Sequence, residues 1–170
     1  MDGGTIIERL NVNLLAVDKL TQDISSTYAT WKPSPEKWSI VEIVCHLLDE
    51  EREDFRARLD LLLHRPDAPW PSINPEGWVP ERDYIGRDLR TTVGELLEER
   101  NRSIAWLRKL EQPAWTNTYE HRILGTMSAG DMLAAWLAHD YLHLKQLAHL
   151  QWQLIGTLAH PHSARYAGEW

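Results

Sequence analysis

The sequence predicts an all-α protein that folds as a four-helix bundle, with a long crossover connection between its second and third helices. Four long segments repeat apolar residues at three- and four-residue steps, which is the period of an amphipathic helix. Proline-rich stretches separate these segments, and proline ends a helix. The chain has 170 residues, of which 43% are hydrophobic and 25% charged. Such a chain can bury one core, so we expect residues 1–170 to form a single domain.

The first helix is predicted over residues 5–29. Ile7, Leu10, Leu14 and Val17 recur there at helical spacing and form one apolar stripe. The segment that follows, WKPSPEKW, contains two prolines, which prevent the helix from continuing.

The second helix is predicted over residues 40–64, and its beginning is well marked. Ser39 and Glu42 have the S-x-x-E spacing of a capping box, in which each side chain binds the backbone N–H of the other residue. Ile43 and Leu47 begin the apolar side of this helix.

Residues 65–88 form the longest break between the predicted helices. This segment, RPDAPWPSINPEGWVPERDYIGRD, carries five prolines, and we expect it to be a loop. A connection of this length can run along the whole bundle, so that the third helix lies parallel to the second. Its length therefore favours a crossover bundle over a simple up-and-down arrangement.

The third helix is predicted over residues 93–110, with Thr92 and Glu95 as a candidate capping box at its start. Residues 115–126 are predicted to form a loop or a short hairpin that ends in the turn residue Gly125.

The fourth helix is predicted over residues 129–155, with Ser128 as its N-cap, and it has two histidines on its core-facing stripe. His139 and His143 are four residues apart, so their imidazoles lie on one face. His46 belongs to the apolar side of the second helix. Core-facing histidines are costly without partners, and a shared divalent metal removes that cost. Three imidazoles leave coordination positions open for water or substrate, as in catalytic sites.

The pattern also has a structural interpretation. A histidine on an apolar face is commonly a core residue whose ring nitrogens are hydrogen-bonded. Helical spacing alone does not establish that His46 meets His139 and His143.

Two carboxylates lie close to these histidines in the sequence. Glu50 follows His46 by one turn, where it orients an imidazole, acts as a further ligand, or pairs with Arg100 of the third helix. Asp140 follows His139 in an H-D-x-x-H pattern, which has Asp where zinc proteases have Glu. Asp140 is thus a candidate general base, although the pattern favours a solvated carboxylate or one that hydrogen-bonds a ligand.

Two longer motifs make the chain similar to a known family. The stretch W-S-I-V-E-I-V-C-H-L-L-D-E-E, which begins at Trp38, resembles the second-helix motif of the DinB/YfiT-like superfamily. The stretch H-D-Y-L-H-L-K-Q-L, which begins at His139, resembles its last-helix motif, and the order and spacing of the segments agree over nearly the whole chain. The resemblance implies a crossover bundle and a nickel or zinc site formed by His46, His139 and His143. It also places Gln146 at the glutamine that recurs after the second histidine, where it hydrogen-bonds a ligand or serves packing.

The resemblance implies an activity as well. Characterised relatives include S-transferases that use bacillithiol or mycothiol and a mycothiol-dependent maleylpyruvate isomerase. We therefore expect a metal-dependent enzyme that transfers a low-molecular-weight thiol to an electrophilic small molecule. One alternative is a non-catalytic stress-response module that binds a metal or a ligand, and another is a metal-dependent hydrolase. Dimerisation is common in the family, so a homodimer is an expectation too.

The net charge and the cysteine content indicate which partners and which cellular compartment to expect. The formal net charge is −7, which disfavours binding to a phosphate backbone, so we expect no nucleic-acid partner. No stretch approaches the roughly 18 apolar residues that a membrane span requires. The N-terminal residues lack the pattern of a signal peptide, and Cys45 is the single cysteine, so no internal disulfide can form. These features predict a cytoplasmic protein.

Overall fold

The computed structural model describes residues 2–170 of the chain, and most of them lie in helices. The helices are α1 (Gly3–Thr21), α2 (Ser26–Ala29), α3 (Ile40–Asp49), α4 (Arg56–His64), α5 (Pro75–Glu81), α6 (Leu89–Leu107) and α7 (Ala129–Leu158). A π-helical segment, Glu50–Phe55, joins α3 to α4 without a break, and two short strands, β1 (Thr118–His121) and β2 (Gly125–Ser128), form a hairpin. The all-α prediction is thus confirmed, with one minor two-stranded sheet. Among the described residues, no helix is long and apolar enough to cross a membrane.

The direction of each long helix follows from its side-chain contacts. The π-helical segment and α4 lie beside α6 in parallel, because Arg52 binds Glu99 and Arg56 binds Ser103, and each pair is 47 residues apart. Both helices therefore run the same way, and the connection between them crosses the length of the bundle. This confirms the crossover topology.

Helices α1 and α7 complete the bundle and run opposite to α3 and α6. Contacts join Asn13 and Leu20 of α1 to Asp140 and Gln151 of α7, so these two helices are parallel. Helix α7 also packs against α3 in the antiparallel sense, which brings the middle of α7 to the C-terminal end of α3.

Two helix boundaries differ from the sequence prediction by four residues or more, and the others agree within three. The first helix ends at Thr21, not at residue 29, because Asp23 adopts a left-handed backbone conformation with φ of 58° and the chain restarts as the short α2. The third helix begins at Leu89, capped by Asp88, so Thr92 is not its N-cap. The Thr92 hydroxyl instead donates to the backbone carbonyl of Asp88.

The predicted caps of α3 and α7 are confirmed. Ser39 and Glu42 form a reciprocal capping box at the start of α3, and the Glu42 carboxylate also accepts from Lys32 at 2.6 Å. Ser128 and Asp131 form the equivalent box at α7. In each box two backbone N–H groups, one at the N-cap and one at the third helical residue, gain a side-chain acceptor. Both helices therefore begin at well-defined residues.

The long connection holds a helix that the sequence analysis assigned to a loop. Asn74 caps α5 by accepting from the Gly77 N–H, and Pro75 occupies the first helical position, where its missing N–H costs nothing. Trp78 and Tyr84 are buried and pack toward α3. These contacts clamp the crossover connection onto the bundle.

The core consists of two apolar clusters with a polar layer between them. The first cluster includes Ile43, Val93 and Leu147, toward one end of the bundle. The second includes Leu59 and Leu133, toward the other. The buried polar side chains between the clusters are His46, Glu50, Glu51, Asp54, Glu99, Arg100 and Asp140.

Candidate metal centre

Three histidines converge in the polar layer of the bundle. Nε2 of His139 lies 3.2 Å from Nε2 of His46 and 3.1 Å from Nε2 of His143. The potential ligand atoms of all three residues lie within 4.8 Å of one another. The structure therefore brings together the three histidines that the sequence pattern left separate on two helices.

Two antiparallel helices create this arrangement. His139 and His143 are one turn apart on α7, so both rings leave the same face of that helix. His46 lies in the last turn of α3, immediately before the π-helical segment. A π-helical turn widens the helix and is frequent at functional sites.

Burial keeps the three imidazoles neutral. Desolvation and the neighbouring histidines lower the pKa of His46 to about 3, and desolvation with His143 and the Arg100 charge lowers the pKa of His139 to about 3. Desolvation also lowers the pKa of His143, although Gln146 and Asp140 oppose the shift. Neutral imidazole is the form that binds a metal, so the rings are ready to act as ligands at neutral pH.

The nitrogen spacing fits a divalent ion of the zinc type. A tetrahedral ion with Zn–N bonds of 2.0–2.1 Å places its ligand nitrogens about 3.3 Å apart. The two shortest nitrogen separations, 3.1 and 3.2 Å, are close to that spacing. Three ring nitrogens at these distances can share one cation as ligands.

Gln146 fixes the ring of His143. Nδ1 of His143 lies 2.9 Å from Oε1 of Gln146, and because an amide oxygen only accepts, the ring proton lies on Nδ1. Nε2 then keeps its lone pair for the cluster. The opposite nitrogen of His46, Nδ1, is buried and has no hydrogen-bond partner among residues 2–170.

The role of Gln146 can be tested by removing its acceptor. Gln146→Met keeps the side-chain length but leaves the His143 Nδ1–H unpaired, so we expect metal affinity to fall by about 10- to 100-fold. Gln146→Glu keeps an acceptor at the same place and should retain most of the affinity. Competition with a chromogenic zinc chelator measures both variants, and equal affinities for wild type and Gln146→Met would contradict this role.

The lowered pKa values predict that metal binding depends little on pH. Protons compete with a metal only below the pKa of the ligand, and for His46 and His139 this pKa is about 3. We expect the zinc dissociation constant to change less than about threefold between about pH 7 and pH 5.5. Three histidines with an ordinary pKa of about 6.5 would instead lose several hundredfold over that range, and a loss of this size would contradict the prediction.

Asp140 faces away from the histidine cluster. Its carboxylate accepts two hydrogen bonds from Arg100, at 2.7 and 2.8 Å, and Arg100 also binds Glu51 at 2.8 Å. Trp136 donates to the same Glu51 carboxylate at 3.0 Å. Asp140 is therefore engaged in a buried ion pair, and this does not favour a role for it as a general base.

Glu50 does not pair with Arg100, because Arg100 reaches the next residue, Glu51, instead. Glu50 is buried beside Asp54, whose own partner is Arg58 at 2.6 Å. Desolvation and the Asp54 charge raise the pKa of Glu50 above its ordinary value, because burial and a neighbouring carboxylate both disfavour the charged form. Glu50 is absent from the group of converging ligand atoms.

Two aromatic residues that sequence reasoning did not assign to the site surround it. The Trp38 ring centroid lies 4.8 Å from that of His46 and 6.4 Å, nearly parallel, from that of His143. Phe55 lies 5.0 Å from His139 and stacks on Trp136. Trp38 belongs to the same sequence motif as Ser39 and His46 and precedes that histidine by eight residues. Its place in this motif is the feature of the sequence that could have assigned Trp38 to the site.

The fold and the cluster together define a class, the crossover four-helix bundles with a histidine metal site between antiparallel helices. The profile of the DinB superfamily matches residues 13–147, which is most of the chain. The chain therefore belongs to the DinB superfamily.

A solved structure of YfiT from Bacillus subtilis shares the fold. The two match with a TM-score of 0.79 and 16% sequence identity, over 89% of this chain and 87% of that chain. That protein is described as a probable metal-dependent hydrolase with an unusual four-helix bundle topology. A comparison with curated proteins finds no match.

Proposed function

We propose that the protein is a metal-dependent enzyme that transfers a low-molecular-weight thiol to an electrophilic small molecule. The observation that supports it most is the convergence of three neutral imidazoles with no carboxylate among the described ligand atoms. Such a set suits zinc or nickel and leaves coordination positions free for a substrate. A divalent metal held by His46, His139 and His143 would supply a Lewis acid, which lowers the pKa of a thiol or water beside it.

The protein's own residues prepare this site. Gln146 holds the proton of His143 on Nδ1, so that Nε2 faces the cluster. Trp38 packs against the rings of His46 and His143, and Phe55 packs against that of His139. The Arg100 ion pairs with Glu51 and Asp140 hold α6 and α7 together next to His139.

The arrangement of charged groups favours a thiol over water as the nucleophile. A water that gives its proton to a carboxylate would need one beside the cluster, but Asp140 is bound to Arg100 and Glu50 is absent from the group of converging ligand atoms. A thiol has an ordinary pKa of about 8.5, so a modest shift ionises it without a general base.

The thiol must come from a second molecule. Cys45 is the single cysteine, and it is buried beside the backbone carbonyl of Tyr84. Desolvation raises the pKa of its thiol to about 11, so it remains protonated at neutral pH. A buried and protonated thiol is a poor nucleophile.

Hydrolysis is the second candidate function, and the description of YfiT as a probable metal-dependent hydrolase favours it. It would use the same histidines but require a proton acceptor near the reacting water. The non-catalytic module is the third, and it would bind a metal without turnover.

One assay separates the three functions. Zinc-loaded protein is mixed with 1-chloro-2,4-dinitrobenzene and bacillithiol, mycothiol or glutathione, and in parallel with p-nitrophenyl acetate without thiol. Thiol transfer forms a carbon–sulfur bond, releases chloride and gives the thiol proton to solvent. We expect a saturable transfer rate with at least one thiol, and this rate should disappear in the metal-free protein. Ester hydrolysis alone would favour the hydrolase, and the absence of both reactions would favour the module.

A further inference from the structure

A cleft of about 450 Å³ opens next to the candidate metal centre, between the segment before α3 and the C-terminal half of α7. Its lining includes Ser34, Lys37, Trp38, Gln146, His149 and Gln153. Two of these residues also touch the histidine cluster, since Trp38 packs on His46 and His143, and Gln146 binds His143. A molecule in the cleft would therefore contact the residues that support His143.

A second cleft adjoins the first. It has a volume of about 360 Å³, and it shares Gln146 and His149 with the larger cleft. Leu142, Lys145 and Trp170 complete its lining, and the Trp170 ring lies edge-on to His149 with centroids 5.2 Å apart. Because they share two lining residues, we treat both as one paired cleft along α7.

The charged side chains of the paired cleft are positive. Lys37 and Lys145 are exposed there, and no acidic side chain lines either part. Neither lysine has a carboxylate within 4.0 Å in the part of the chain that the structure describes. Glu36 is next to Lys37 in the sequence, and the Lys37 charge contributes to lowering the pKa of its carboxyl, but Glu36 does not line the cleft.

The remaining groups suit a small organic molecule. Trp38 offers an aromatic face, and the side chains of Gln146 and Gln153 offer amide donors and acceptors. An aromatic face beside polar side chains can bind a small molecule that has both an apolar and a polar part.

We propose that the paired cleft binds a carboxylate-bearing small molecule, with its carboxylate at Lys37 and its apolar part against Trp38. Lys145 adds attraction from the adjoining part of the cleft. The inference rests on the proposed function, for which it identifies the substrate class as an organic anion held beside His143. Trp38 and Gln146 line the cleft and also contact the histidine cluster, so a substrate in the cleft would lie next to the cluster. Its carboxylate would bind Lys37 and not the histidines.

The experiment is an NMR titration of the full chain with three matched probes, benzoate, benzamide and benzylamine. We expect benzoate to shift the Trp38 and Gln146 signals at lower concentration than benzamide does, and benzylamine to bind least. Lys37→Gln should weaken benzoate binding by about three- to tenfold, with a smaller loss in Lys145→Gln, because each removes one charge-assisted contact. The control is Lys109→Gln, which removes the same charge at an exposed position after α6 and should change nothing.

The titration is run on chelator-treated protein and again after zinc is added. Benzoate binding that appears only with zinc would place the carboxylate on the metal and overturn the proposal. Equal binding of benzoate and benzamide, or no effect of Lys37→Gln, would overturn it as well. Because the chelator-treated protein holds no metal, failure of the thiol-transfer assay would leave the titration result standing. An active enzyme that does not bind benzoate would refute the cleft proposal alone.

Discussion

Protein purified without exposure to nickel resin is expected to hold about one equivalent of divalent metal, and His143→Ala less than about a tenth of that. His143 supplies one of three converging nitrogens, and Gln146 aligns it by a 2.9 Å hydrogen bond. Removing the His143 imidazole leaves two nitrogen ligands, so we expect the metal dissociation constant to rise by about 100- to 1000-fold. The measurement is the metal content of untagged protein by inductively coupled plasma mass spectrometry.

The matched control is His64→Ala. This substitution also removes one histidine, but His64 lies at the end of α4, with 54% of its side chain exposed, and it contacts Asp60 rather than the cluster. Its metal content should equal that of wild type. Circular dichroism of both variants shows whether the bundle is intact. Equal metal in wild type and His143→Ala, or no uptake after zinc and nickel are added, would contradict a metal centre at these histidines.

The histidine cluster could be predicted because its members obey local rules. His139 and His143 share a face at any point of a regular helix, since four residues make about one turn. The contact of His46 with His139 joins two helices that are far apart in the sequence, so residue spacing along one helix cannot predict it. Only the resemblance to the superfamily placed His46 beside the other two before the structure did.

The partner of Arg100 could not be predicted in the same way. The helical pattern allows Glu50 as its partner, whereas in the structure Arg100 binds Glu51. Both residues lie in the π-helical segment, where the wider turn rotates each following side chain relative to a regular α-helix. A pattern with a period of 3.6 residues assumes no such turn, so it cannot distinguish between two adjacent glutamates.

Two features of the secondary structure were predicted wrongly, helix α5 and the end of the first helix, and both have local causes. Helix α5 was assigned to a loop because prolines usually break helices, but Pro75 stands at the first helical position, where proline is favoured. The first helix was predicted too long because its apolar stripe continues past Thr21. The left-handed conformation of Asp23, with φ of 58°, ends the helix, and aspartate tolerates that conformation better than most residues do.

Arg100→Met is expected to destabilise the protein by about 3–5 kcal/mol, the largest stability loss of any single change considered. Arg100 is 3% exposed and binds two buried carboxylates, together with the backbone carbonyl of Leu10. Methionine fills much of the volume but leaves Glu51 and Asp140 as unpaired negative charges in the core. Urea unfolding monitored by circular dichroism measures the loss.

The surface control is Arg102→Met, on the same helix. Its side chain is 66% exposed and pairs with the exposed Glu98 and with Glu99, which keeps Arg52 and Arg56 as partners, so its loss should cost less than about 1 kcal/mol. A similar cost for both variants would show that the buried network contributes no more than a surface pair does.

The cost of Arg100→Met is also expected to depend on pH. Burial already raises the pKa of Glu51, and the Arg100 charge opposes that shift, so its removal raises the pKa further. A carboxyl whose pKa is higher in the folded state than in the unfolded state is stabilising at low pH and loses that contribution as pH rises. The penalty should therefore be smaller at about pH 5 than at about pH 7.5. Replacing Glu51 by Gln in the same variant should recover part of the stability at the higher pH, because it removes one of the two unpaired charges that methionine leaves behind.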